Sequence, residues 1–195
     1  MWQEEKRRQA EIMDTDFRKK MRESESSGRS DILTQTGRGD MAGGYYQFTP
    51  DRLKDYSKAT GEKVTMDAFI ADPDLQGRVM DWHEQDILDY ALNNGLDQYI
   101  GQEVGGVMID PSALVGMAHL GGRLGMREFI ESGGEYNPSD RFGTKISDYG
   151  QKFSGLDLYG LTPTRPMPRN ESAVSMQQGV SLRPKARPQS LLDMF

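Results

Sequence analysis

The segment Glu25-Ser26-Ser27-Gly28 lies at the boundary between two regions of different character. Before it comes a charged stretch with helical periodicity, and after it a glycine-rich loop leads to Gly44-Tyr45-Tyr46-Gln47-Phe48. A carboxylic acid at the point where a helix gives way to a Ser/Gly turn can face a cleft instead of bulk water. We therefore take this segment as the centre of a candidate reactive site.

The helix that precedes Glu25 has an apolar face. Its apolar side chains recur at three- and four-residue spacing, at Ala10, Met13, Phe17 and Met21. One further turn places Glu25 roughly 75° from the centre of this stripe and Glu23 roughly 125° from it. We expect Glu25 at the edge of the buried face, where partial removal from water favours the protonated form that a general acid needs. Two ordinary surface charges near a helix end would give the same pattern.

The composition predicts a single, mainly α-helical domain with an extension at each end. Of the 195 residues, we assign 1–14 to a helical arm and 15–155 to the domain. Residues 156–195 hold five of the nine prolines and are predicted to form an extended tail. Residues 28–44 are polar and rich in glycine, which is typical of a long loop or a small β-hairpin wing.

Local start and stop signals predict the helices that follow. Starts occur at Thr49-Pro50, Asp72-Pro73 and Asp110-Pro111, and stops occur at Gly61 and Asn93-Asn94-Gly95. The helix that starts at Asp110-Pro111 is predicted over 112–120. It should break at Gly121-Gly122 and resume over 123–130, and a short last helix is predicted over 147–153. The wide apolar band of the long helix after Pro73 is typical of a central buried helix, and His83 within it is interpreted as a core or boundary histidine.

Charge and composition exclude several classes of function. A net charge of −6 argues against a nucleic-acid binder, and no apolar run is long enough to span a membrane. The chain has no cysteine and only two histidines, so we expect no disulfide, no histidine-based zinc site, no other metal and no cofactor. The charged segment 1–8 lacks the apolar core of a signal peptide, so we expect synthesis in the cytoplasm.

Four segments in order carry a resemblance to a known family. They are Glu25-Ser26-Ser27-Gly28, Gly44-Tyr45-Tyr46-Gln47-Phe48, Ala118-His119-Leu120-Gly121-Gly122, and the stretch from Gly143 through Tyr149 to Phe153. Together they resemble the motifs of lysozyme-like lytic transglycosylases, and most of all the versions carried by bacteriophage particles. In the third segment, His119 replaces the family's tyrosine and Leu120 its asparagine. His119 can still donate a hydrogen bond, whereas Leu120 cannot.

The resemblance implies a lysozyme-like fold and cleavage of the β-1,4 bond between N-acetylmuramic acid and N-acetylglucosamine in peptidoglycan. Glu25 would be the catalytic residue, and Ser26 would orient it or the sugar. The resemblance also implies four residues that line the substrate cleft: Tyr46, Gln47, His119 and Tyr149. The protein would be a virion component that opens the cell wall during genome entry. Its partners would be glycan strands and, through the arm and the tail, other virion proteins.

Several alternatives stay open at this point. Sugar rings stack on aromatic side chains, which favours a cleft role for the aromatic run around Gln47, but a buried strand would also explain it. Tyr149 could equally pack on the core. Asp31 or Asp40 could supply the second carboxylate of a hydrolytic muramidase. A structural virion protein with the same fold and little activity is a further alternative.

Overall fold

The computed structural model describes residues 15–37 and 39–158. These residues form a mainly α-helical body with a small two-stranded wing, which confirms the predicted class and the predicted hairpin. The predicted arm, 1–14, and all but the first three residues of the predicted tail, 156–195, lie outside the described residues. Within the described ranges, no helix is both long and apolar enough to cross a membrane.

Six α-helices, two strand pairs and a 3-10 turn make up the described part of the chain. In order they are α1 Asp16–Ser26, β1 Leu33–Gln35, β2 Met41–Gly43, α2 Pro50–Thr60, α3 Met66–Ala71, α4 Pro73–Asn93, the 3-10 turn Leu96–Tyr99, β3 Glu103–Val104, β4 Val107–Met108, α5 Pro111–Glu131 and α6 Ile146–Phe153. Both pairs are antiparallel, with Thr34 opposite Ala42 in the wing and Val104 opposite Val107 in the second pair.

The predicted helix starts are confirmed by their caps. The side chains of Thr49, Asp72 and Asp110 each accept a hydrogen bond from a backbone N–H in the first turn, and a proline follows each of them. At the other end of α2, Gly61 takes a left-handed conformation with φ of 79°. Local chemistry therefore sets these boundaries.

The predicted double-glycine corner in α5 is also confirmed. Gly122 interrupts the helix with φ of 72° and ψ of 167°, a conformation that other residues rarely adopt. A Cβ atom on Gly121 would lie 2.5 Å from Cδ1 of Ile146, at the start of α6. The missing side chain at Gly121 therefore allows α6 to pack directly on α5.

The core lies between α4, α5 and the shorter helices around them. Phe17 and Met21 of α1 are fully buried, as the apolar stripe predicts. His83 on α4 is 5% exposed and belongs to the interior, in agreement with its interpretation as a core or boundary residue. Helix α6 packs mainly on α5 and covers the core at Phe153, whose ring lies 5.2 Å from that of Phe17.

A buried ion pair joins α1 to α4. The Arg18 guanidinium donates from Nε to Glu84 Oε1 at 2.9 Å and from Nη2 to Glu84 Oε2 at 2.5 Å. The side chains of Arg18 and Glu84 are 2% and 1% exposed, and Asp81 adds a third contact at 2.6 Å. Burial acts to lower the pKa of Arg18, but the two carboxylates outweigh burial and raise it. Burial raises the pKa of Glu84, whereas the charge and hydrogen bonds of Arg18 lower it. The short bidentate contact has the geometry of a guanidinium paired with a carboxylate, and it fixes α1 on α4.

We predict that Arg18→Met lowers the free energy of unfolding by about 3–5 kcal/mol, because it leaves the Glu84 carboxylate buried without its partner. Urea denaturation measures the change. The double variant Arg18→Met with Glu84→Leu should regain part of the loss, since it removes both charges. Asp31→Asn serves as the control, because the Asp31 contact with Arg29, at 3.5 Å, is solvent-exposed and should contribute little. A double variant with a lower free energy of unfolding than Arg18→Met alone would contradict this account.

Candidate active site

Glu25 lies in the last turn of α1, immediately before the chain turns at Ser27. Ser27 ends the helix in the left-handed conformation, with φ of 52°. The Glu25 side chain is 16% exposed, whereas Glu23 is exposed. The helical periodicity therefore predicted the two positions correctly: Glu25 lies at the edge of the buried face and Glu23 faces solvent.

Tyr149 on α6 brings a hydroxyl group to Glu25 from 124 residues further along the chain. The hydroxyl donates to Glu25 Oε1 at 2.5 Å, and the Tyr149 residue is 9% exposed. Burial raises the pKa of Tyr149 above its ordinary value, and the negative charge and hydrogen bond of Glu25 raise it further. The phenol therefore remains a protonated donor. The Tyr149 ring packs on Phe153, as the core expectation has it, and its hydroxyl meets Glu25. The role of Tyr149 in lining a substrate cleft stays a prediction.

His119 on α5 also lies close to Glu25. Its Nε2 atom is 3.8 Å from Glu25 Oε1, and its side chain is 7% exposed. Its Nδ1 atom is 3.2 Å from Nε2 of His83 on α4. Burial lowers the pKa of His119, although the charge of Glu25 and a hydrogen bond with the Tyr46 backbone act in the opposite direction. The structure therefore brings together three of the predicted site residues, Glu25, His119 and Tyr149.

The turn at residues 44–47 lies beside α1 and is held by side chains from two helices. Gln76 of α4 accepts from the Tyr45 backbone N–H at 2.7 Å and donates to the Ser30 and Phe69 carbonyls. Ser26, which is 4% exposed, contacts the Tyr45 carbonyl with its hydroxyl at 3.0 Å. Ser26 therefore fixes the turn next to Glu25, which fits an orienting role better than contact with a sugar.

Tyr46 does not occupy the predicted position in the cleft. Its side chain is fully buried, and its hydroxyl accepts a hydrogen bond from Arg22 Nη1 at 3.4 Å. A side chain without exposed surface cannot contact a ligand, so the predicted substrate contact of Tyr46 is wrong for this conformation. The chain turns at Gln47, whose φ is 49°, while the rings of Tyr46 and Phe48 on either side of it are both buried and lie 6.1 Å apart.

A cavity of about 350 Å³ opens next to His119. Its floor is formed by Phe48, Ile87 and Ala118 together with the two histidines, and its polar lining includes Gln47, Arg52 and Arg123. Gln47 is half-buried there, and its Nε2 donates to the Gly44 carbonyl at 2.9 Å. Its contact with substrate stays a prediction. Glu25 is not among the residues that line this cavity, but His119 both lines the cavity and lies 3.8 Å from Glu25. The cavity combines an apolar surface with hydrogen-bonding groups, as a sugar-binding site requires.

Asp31 and Asp40 have local partners in the wing and its approach. Asp31 is exposed and lies 3.5 Å from Arg29. Asp40 accepts a hydrogen bond from the Thr36 hydroxyl across the hairpin. These contacts are typical of turn and surface aspartates.

Sequence reasoning missed Arg52, which connects the cavity to the histidine pair. Its Nε donates to His83 Nδ1 at 2.8 Å, and its Nη2 contacts Asp86 at 2.6 Å. The guanidinium also lies 4.1 Å from the centre of the Trp82 ring. Arg52 and His83 are 31 residues apart on different helices, so no local pattern could have identified the contact.

The comparisons with known proteins add no relative. No protein-family model matches the chain, and neither the curated proteins nor the solved structures gave a significant match. Within residues 15–37 and 39–158, no group of three His, Cys, Asp or Glu side chains could hold a metal ion. The site is therefore described by its own residues alone.

The two histidines predict a loss of stability on acidification. Burial lowers the pKa of His83 and of His119, and the charge of Arg52 lowers both further. As the pH falls through about 6.5, the unfolded chain binds protons that the folded chain does not, so the folded state loses stability. We expect the free energy of unfolding in urea to fall by up to about 1.4 kcal/mol per pH unit for each histidine below that value.

The double variant His83→Gln with His119→Gln is the control for this slope. It lacks both titrating rings, so its stability should depend much less on pH between about pH 7 and pH 5. Carboxylates contribute equally to the slope in both proteins and cancel in the comparison. An unchanged slope in the double variant would refute the buried, uncharged state of the pair.

Proposed function

We propose that the protein is a peptidoglycan lytic transglycosylase with a lysozyme-like fold, and that Glu25 is its acid and base. The observation that carries this proposal is the environment of Glu25. Its carboxyl is mostly buried at a helix end and accepts a hydrogen bond from the Tyr149 hydroxyl. It lies 3.8 Å from His119, which lines a cavity with apolar and polar walls. The order of the four motifs supports the same assignment.

The proposed reaction needs one carboxyl group. Protonated Glu25 donates its proton to the bridging oxygen, and the bond between that oxygen and C1 of N-acetylmuramic acid breaks. The Glu25 carboxylate then removes the proton from the C6 hydroxyl as that oxygen bonds to C1, which closes a 1,6-anhydro ring. Glu25 ends protonated, as it began, and no water is consumed.

Two features favour this route over hydrolysis. An inverting hydrolase needs a second carboxylate to activate water, and a retaining one needs it as a nucleophile. The two candidates for that role, Asp31 and Asp40, are engaged with Arg29 and Thr36 respectively. A single carboxyl with neutral hydrogen-bond donors, Tyr149 and the uncharged His119, is sufficient for transglycosylation.

We also propose that the protein acts in a bacteriophage particle, where it would open the cell wall locally during genome entry. The support is the resemblance of its motifs to particle-borne enzymes, together with the composition of residues 1–14 and 156–195. These two segments would contact other virion proteins. The described domain would contact the glycan strands.

We predict that Glu25→Gln abolishes clearing of purified cell walls, measured as loss of turbidity. The amide keeps the shape of the side chain and an oxygen acceptor for Tyr149, but it cannot protonate the bridging oxygen as a carboxylic acid does. General acid and base catalysis contributes on the order of 10²–10⁴ to rate, so the loss should reach at least about 100-fold.

The matched control is Glu23→Gln, two residues earlier on the same helix and exposed to solvent. It removes the same charge and should clear walls as well as the wild type. Equal clearing by Glu25→Gln would overturn the assignment of Glu25. Failure of the wild type to clear walls of any tested composition would overturn the enzymatic proposal and favour the structural alternative.

A further inference from the structure

The direction of the protons in the buried histidine pair follows from Arg52. Arg52 Nε lies 2.8 Å from His83 Nδ1, and a guanidinium group can only donate hydrogen bonds. His83 Nδ1 must therefore be the acceptor. A neutral imidazole with an accepting Nδ1 carries its proton on Nε2.

The same argument extends to His119. His83 Nε2 is 3.2 Å from His119 Nδ1, so its proton is donated to that atom. His119 then carries its own proton on Nε2, the ring atom nearest to Glu25 Oε1. One fixed donor at Arg52 thus determines the tautomer of both rings. It leaves His119 with a single N–H group, at Nε2, which serves the Tyr46 backbone and lies 3.8 Å from the Glu25 carboxyl.

The position of Arg52 is itself determined by several contacts. Asp86 binds Arg52 at 2.6 Å and also binds Arg123 at 2.9 Å. The Trp82 ring lies against the guanidinium at 4.1 Å. With 14% of its side chain exposed, Arg52 has little freedom to rotate away from His83.

We propose that Arg52 and His83 are positioning residues, which act through His119 to hold an uncharged N–H donor at Oε1 of Glu25. Tyr149 donates to the same oxygen at 2.5 Å, so Tyr149 and His119 both face Oε1, and the proposal assigns the transfer of the proton to Oε2. The proposal requires the 3.8 Å separation at His119 to shorten to hydrogen-bond distance when substrate binds, as catalytic hydrogen bonds often do. The catalytic part of this proposal depends on the function proposed above.

The two amide variants of His119 test which nitrogen is used. The side-chain nitrogen of glutamine can occupy the place of Nε2, whereas that of asparagine reaches only the place of Nδ1. We expect His119→Gln to stay within about 10-fold of the wild-type rate of wall clearing. Removal of a donor to developing charge costs on the order of 10²–10³ in rate, so we expect a loss of that size in His119→Asn. Equal rates in the two variants, or a faster His119→Asn, would overturn the role of Nε2.

A second measurement needs no activity. Long-range ¹H–¹⁵N spectra of the full chain report the tautomer of each histidine, and the chain has only two to assign. We expect both rings to be neutral and protonated on Nε2 at about pH 7. Arg52→Met should release His83 from this single tautomer, while Arg52→Gln, which retains an N–H donor, should preserve it. A ring protonated on Nδ1 or on both nitrogens in the wild type would overturn the proposal.

The two measurements separate the possible failures. A wild type with fixed Nε2 tautomers that clears no wall refutes the proposed function but supports the hydrogen-bonded chain. A wild type that clears walls with mixed tautomers refutes the chain but leaves Glu25 in place as the acid.

Discussion

The buried ion pair between Arg18 and Glu84 is the constraint on which the site depends. Arg18 lies seven residues before Glu25, or about two helical turns, and Glu84 directly follows His83. The bidentate contact therefore fixes the helix that carries the carboxyl against the helix that carries the inner histidine. A long, partly solvated contact would allow these helices to slide, whereas two short hydrogen bonds between nearly inaccessible groups define one register.

The opposite side of the site depends on close packing at small residues. A side chain at Gly116 would collide with Phe153, and one at Gly121 would collide with Ile146. These two glycines let α6 lie directly against α5, which places Tyr149 within hydrogen-bond distance of Glu25. The site is thus assembled from four helices, α1, α4, α5 and α6, which are held by a charge pair and by close packing at glycines. The cavity lined by Gln47 and Arg52 lies beside it.

The features that sequence reasoning predicted well are those with local causes. Thr49, Asp72 and Asp110 cap their helices through bonds within one turn, and the edge position of Glu25 follows from periodicity within α1. The short helix α3 and the two-residue strands β3 and β4 were not anticipated, because elements of that length carry too little periodic pattern.

The features that sequence reasoning missed depend on contacts between distant segments. Tyr46 was expected to face the cleft because its segment resembles the family motif, but its ring is fully buried against Phe48 and its hydroxyl contacts Arg22 of α1. The contacts of Arg52 with His83 and of His83 with His119 span 31 and 36 residues. Only the fold brings these groups together.

The most direct test of the account is the mass of the fragments that the protein releases from purified peptidoglycan. A reaction in which Glu25 alone moves the proton, with closure of the ring by the sugar's own hydroxyl, must give 1,6-anhydro ends that are lighter by one water than hydrolysed ends. We expect anhydro ends as the main product in mass spectra of the digest. Reducing ends that carry an added water would contradict the single-carboxyl mechanism and require a second group to activate water.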